Sequence, residues 1–299
     1  MLNQNIGEIA ALFTAFSWTL VGIFFGEATK RIGSVSVNFI KLIFGFTFLS
    51  ITAFITRGVM FPTDASLHAW IWLTLSGVIG FFIGDFFMLK AYVEVGVRIS
   101  LLMMATSPPM AALFGFIFLG EKISLVGMLG MAITIAGIVI VIMSKDTSEQ
   151  KIKIKYSTRG LFYAFLGAVG QAVGLIFSKV GLGDYNTFAA TQIRIIAGFI
   201  CFALFITIRK QWGSINLAIK DKTAIKYTLL GSIFGPFIGV SLSLVAIRYT
   251  TAGIASTITS ITPITIIPFS IFLFKEKVRP LEIFGAFVSV TGVAVLLLF

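Results

Sequence analysis

Asp85 sits inside a long apolar run, between Gly84 and Phe86. An ionised carboxylate there costs roughly 2.5–3.5 kcal/mol on membrane-insertion scales, so it must face a protein interior. In that place it could bind a substrate amine or carry a proton. Lys90 follows five residues later. That is about 140° around a helix, a poor same-face partner, and its long stem suits snorkelling to the interface. Lys41 and Arg194 occupy two further apolar runs. Two such cations could attract a carboxylate or another anion, or reach lipid headgroups. Trp18 and Gln171 would suit an apolar cavity with few polar contacts. Asn38, Gln192, Ser17, Ser107, Ser241, Ser243 and Thr262 could add hydrogen bonds, although serine and threonine also bond their own helix backbone. The candidate substrate-binding set is therefore Trp18, Asn38, Lys41, Asp85, Ser107, Gln171, Gln192, Arg194 and Thr262. Nothing resembles a catalytic arrangement. The sequence holds no Ser/His/Asp set, no glycine loop with a phosphate-binding Lys and no His/Cys cluster, so neither ATP hydrolysis nor a metal or other cofactor is expected. The lone His68 reads as interfacial, and the lone Cys201 permits no intramolecular disulfide.

These residues must be positioned by membrane helices. Of 299 residues, 58% are hydrophobic and 12% charged, against about 25% charged in a soluble domain. A spanning helix needs about 20 apolar residues. Segments near 7–25, 35–56, 69–91, 99–120, 123–143, 158–180, 186–208, 226–247, 253–274 and 279–298 qualify. The reading is an all-α integral membrane protein of ten helices. Strands are not expected, because the apolar runs are too long and do not alternate. The first run lacks a basic flank and a small-residue cleavage site, so it is not a removable signal. The net charge of +11 lies in loops without interleaved aromatics, which fits membrane orientation and lipid headgroups rather than nucleic acid.

The chain is written twice. Phe82-Ile83-Gly84 recurs as Phe237-Ile238-Gly239, Pro108 as Pro263 and Gly130 as Gly285, all 155 positions apart. Nearer the start of each copy the offset is 153, as for Gly7 with Gly160 and Lys41 with Arg194. The copies span 1–143 and 158–299, joined by a polar linker over 144–157. Five helices per copy make the second enter from the opposite side, the inverted-repeat plan of secondary transporters. Pro108, Pro109, Pro236 and Pro263 break or hinge helices, since proline removes a donor and frees a carbonyl that must face protein or a polar cavity. Glycines at four-residue spacing, such as Gly80 and Gly84, let helices approach closely. They suit packing within a monomer, which suffices, or a homodimer. Loops after odd-numbered helices carry 16 Lys and Arg against four after even-numbered ones, which places both termini outside.

Two five-helix copies, each with a mid-helix proline, a Glu 13 residues later and two spaced glycines, resemble the EamA family of the drug/metabolite transporter superfamily. The matching residues are Pro108, Glu121, Gly130 and Gly137, then Pro263, Glu276, Gly285 and Gly292. The resemblance covers essentially the whole chain. It implies a ten-helix transporter with a central cavity open alternately to each side. Glu121 and Glu276, beside Lys122 and Lys277, then read as structural hairpin residues. It also implies cytoplasmic termini, the reverse of what loop charge gives. The expected function is secondary transport of small, amino-acid-like metabolites, in the export direction, at the plasma (inner) membrane. A passive channel or facilitator, a lipid flippase and a membrane enzyme are the alternatives.

Overall fold

A computed structural model describes residues 2–120, 122–145, 152–154, 156–249 and 258–298. Glu121, linker residues 146–151 and 155, and the side chain of Ser241 lie outside the described set. The described chain is almost entirely helical. Helix α1 runs Leu2–Arg57 but breaks at Gly33, whose φ of 77° and ψ of 159° are non-helical. A residue without Cβ adopts such a backbone without steric cost, so one glycine separates two limbs where the sequence suggested a loop of several residues. Helix α2 (Leu67–Ser76), a π-helix (Gly77–Gly84) and α3 (Asp85–Glu94) follow as one column. Next come α4 (Gly96–Met103), a 3₁₀ turn (Met104–Thr106), α5 (Ser107–Leu119) and α6 (Leu125–Ile142). The second copy has α7 (Thr158–Leu182), α8 (Thr187–Ile208), α9 (Trp212–Lys220) and α10 (Lys222–Ser232). A second π-helix (Ile233–Gly239), α11 (Val240–Tyr249), α12 (Thr262–Phe272) and α13 (Pro280–Leu298) complete it.

Among the described residues, seven helical stretches are long and apolar enough to cross a membrane. The first of them holds both limbs of α1. Two elements depart from the sequence reading. Strand β1 (Met143–Lys145) pairs antiparallel with β2 (Ile152–Ile154) at the linker, where no strand was expected. This ribbon begins at the last residue of the apolar segment 123–143 and runs into the polar linker, so its short strands need not close into a barrel. Helix α9 lies in what read as a loop. It buries Ile215 and Ala218 and exposes Leu217 and Ile219.

Local chemistry sets the helix starts. Ser66, Ser124 and Ser157 each accept a bond from the backbone amide three residues on. Asn186 and Asp221 do the same for α8 and α10. Such caps satisfy amides that have no intrahelical partner. Glycine sets the packing. Gly170 and Gly174 of α7 lie against Gly84 and Gly80, so any Cβ there would meet the opposite backbone. The equivalent contact recurs where Gly235 meets Val21 of α1. Helices α6 and α13 cross antiparallel, with Gly130 against Gly292 and Leu296, and Gly137 against Gly285 and Ser289.

Candidate functional site

A cavity of about 400 Å³ lies where the two copies meet. That falls in the range of small-molecule sites, roughly 300–1,000 Å³. Its wall is mostly apolar, with Val21, Phe25, Met88 and Leu101 among the lining side chains. Into it reach Trp18, Lys41, Asp85, Ser107, Gln171 and Thr262. Six of the nine substrate-binding candidates are thus brought together.

The polar centre is built on Asp85. Its Oδ2 lies 2.5 Å from Lys41 Nζ, and its Oδ1 accepts from Gln171 Nε2 at 2.7 Å. The side chains of Lys41 and Asp85 are only 8% and 16% exposed. Three separate helices supply this trio, and each does so for a local reason. Lys41 stands one turn after Asn38 on α1, whose Nδ2 donates to the Asp85 carbonyl at 3.2 Å and holds the two helices in register. Asp85 is the first residue after the π-helix. Gln171 follows Gly170, whose contact with Gly84 lets α7 come close enough for Nε2 to reach the carboxylate and the Gly80 carbonyl. With both oxygens engaged, Asp85 meets the rule that buried charges are paired and hydrogen-bonded.

Three candidates stand elsewhere. Asn38 is fully buried behind Asp85. Gln192 is buried too, and donates to Ser50 Oγ at 3.0 Å and the Met60 carbonyl at 2.8 Å. Arg194 is stacked on Phe81, its guanidinium carbon 4.7 Å from the ring centroid, with the ring and not the cation at the cavity wall. Lys41 and Arg194 thus stand in different surroundings, Lys41 paired with Asp85 and Arg194 over the Phe81 ring. Lys90 turns away from Asp85 and lies over Phe86 and Tyr163, at 4.3 and 5.4 Å from the ring centroids.

The proline breaks frame the cavity. Pro108, Pro236 and Pro263 line it, while Pro109 does not. The 3₁₀ turn before Ser107 and the turn before Thr262 sit at matching places in the two copies. Both put proline at the first positions of the following helix, where its missing N–H costs least. Pro236 falls inside the second π-helix, whose counterpart is Gly77–Gly84. Neither π-helix was read from the sequence, although the repeated Gly-x-x-x-Gly at 80–84 and 235–239 marks both.

A second buried cluster was missed altogether. Arg98 donates from Nε to Glu276 at 2.8 Å and from Nη1 to Glu282 at 2.9 Å. Tyr156 adds longer contacts to Arg98 and Glu282. Glu276 sits in the hairpin between α12 and α13, as the sequence suggested, and also ties that hairpin to α4 through Arg98. At the surface, Arg57, Asp64 and Tyr185 form a further cluster in which Tyr185 donates to Asp64 at 2.8 Å. That bond and the Arg57 cation hold the Asp64 carboxyl below its ordinary range, and burial raises the Tyr185 hydroxyl.

No curated protein matches this chain. A solved crystal structure shares its fold with a TM-score of 0.63 at 16% identity, over 97% of this chain and 95% of that one. The model of the EamA-like transporter family matches residues 5–143 and again 158–298. With two matches covering nearly its whole length, this multi-pass membrane protein belongs to the EamA-like transporter family, within the drug/metabolite transporters.

Proposed function

We propose that the protein is a ten-helix secondary transporter that exports small, amino-acid-like metabolites by alternating access. Its two units, 1–143 and 158–299, are inverted repeats joined by the 144–157 linker. The observation that carries this reading is the Lys41–Asp85–Gln171 trio inside an otherwise apolar cavity of about 400 Å³. Sparse, oriented polar groups in an apolar pocket are what a small amphipathic solute needs. The antiparallel crossing of α6 and α13, which are repeat equivalents, supports the inversion. The matched breaks before Ser107 and Thr262 supply flexible points in both halves. The inner membrane is the expected site. For orientation we follow the family resemblance, with both termini cytoplasmic, against the loop charges.

The test is flux in liposomes containing the purified full chain, loaded with metabolite mixtures under pH and voltage gradients. Accumulation against a gradient is expected, and a passive channel cannot produce it. Failure to move any metabolite under any gradient sinks the reading. Reporter fusions at the N-terminus and in the linker decide the orientation.

A further inference from the structure

The fixed charges around the cavity do not cancel. Lys41 and Asp85 neutralise each other. Arg194 adds a second cation that shares the single Asp85 charge with Lys41, through space and without contact. Its Nε is shut off from solvent without a hydrogen bond, and it makes no ion pair among the described residues. Arginine stays protonated in proteins. Arg194 as a whole is only half-buried, but a cation held partly out of water with one nitrogen unsatisfied is still costly, and an anion brought near recovers part of that cost. Tyr92 is the remaining titratable side chain of the wall, and it carries no positive or negative charge when protonated.

Repeat register shows which copy lacks the carboxylate. Lys41 and Arg194 are equivalent at an offset of 153, and Asp85 and Val240 at 155. The packing around them obeys the same two offsets. Gly45 of α1 lies against Pro236, and Gly198 of α8 lies against Phe81. One copy therefore has a cation and a carboxylate at these two positions, while the other has the cation and, at the sequence position equivalent to Asp85, a valine. The Phe81 ring, over which the Arg194 guanidinium lies, is part of the cavity wall.

We infer that the substrate supplies the missing anion: the cavity takes a small organic monoanion with an apolar body, its acid group towards the Phe81–Arg194 wall. The inference rests on the transporter reading and narrows it. An amino-acid-like solute would bind with its amine absent or acylated, because the one carboxylate in the wall is already held by Lys41 and Gln171.

A matched series tests this with the full chain in detergent, by thermal unfolding against ligand concentration. N-acetylphenylalanine is the anion, phenylalanine the zwitterion, phenylalaninamide the cation and N-acetylphenylalaninamide the neutral form. The anion is expected to bind at least about tenfold more tightly than the other three, the scale of one unscreened charge contact. Arg194→Gln should bring all four within about twofold, and Arg194→Lys should keep the preference. Should R194Q fail to fold, Phe81→Ala replaces it, and must tighten the anion alone. Equal or tighter binding by the cation, zwitterion or neutral form overturns the inference, as does an anion preference that survives R194Q. A series in which no member binds overturns it as well, and the flux screen then still decides separately whether the protein is a transporter.

Discussion

Arg98 of α4 and Glu282 of α13 meet at 2.9 Å across 184 positions of chain, with side chains 8% and 1% exposed. Glu276 and Tyr156 complete the shell around them. Breaking a buried pair by removing one partner typically costs about 3–5 kcal/mol, because the other charge is left stranded. Glu282→Gln should therefore lower the unfolding free energy by about 3 kcal/mol or more. Arg98→Met combined with Glu282→Leu should recover most of it. Chemical denaturation in detergent measures both. A double variant as unstable as the single one would show that the cluster's worth is not ionic.

Asp85→Asn strands Lys41 in the same way, with an expected loss of about 3 kcal/mol. Adding Lys41→Met should restore stability but not transport, since the cavity would then lack its polar centre. Liposome flux and denaturation on the single and double variants separate the two effects. Unchanged pH-gradient-driven flux in Asp85→Asn would exclude a proton-carrying role for this carboxylate.

Gly137→Ala should cost on the order of 2 kcal/mol, the usual scale of overpacking, because a Cβ there collides with the Ser289 backbone. Gly213→Ala makes the control. It lies in α9 with open space around it, so the helix propensity of alanine should make it neutral or stabilising by up to about 1 kcal/mol. Equal effects of the two would refute close approach of α6 and α13.

The Arg57–Asp64–Tyr185 cluster predicts a small acid-side effect. Asp64 titrates lower folded than unfolded, first through the Tyr185 bond and then through Arg57. Its contribution is present above the unfolded carboxylate range, near pH 4, and is lost as pH falls through the folded value. Its side chain is 50% exposed, so solvent screening limits the effect to about 0.5 kcal/mol or less. Thermal unfolding of Asp64→Asn against wild type, followed from pH 7 down to about pH 2, should show a difference that is full at pH 7, shrinks below about pH 4 and is lost at the acid end.

Helix existence was legible because runs of about 20 apolar residues have few other uses. What each helix turns inward was not. Asn38, Lys41, Gln192 and Arg194 all read as inward-facing polar residues, yet only Lys41 reaches the cavity. Rotation about a helix axis is set by neighbours, and an apolar run that meets lipid on one side and protein on the other shows no periodicity. Arg98 was counted with the loop charges because its partners lie 178 and 184 positions away. Helix α9 was hidden for another reason. Its Arg209, Lys210, Lys220 and Lys222 flanks look like an ordinary charged loop until Ile215 and Ala218 are seen to be buried together.

The two π-helices carry a further meaning. Each wide turn takes in one residue beyond α spacing, so everything after it is swung by about 100° relative to an unbroken α-helix. Asp85 begins directly at that point. Removing Ile83 alone would keep every polar side chain of the cavity and still aim the carboxylate away from Lys41. The cavity's chemistry is thus encoded partly in chain length. A relative lacking that one residue could share every polar side chain named above and still be unable to assemble the trio.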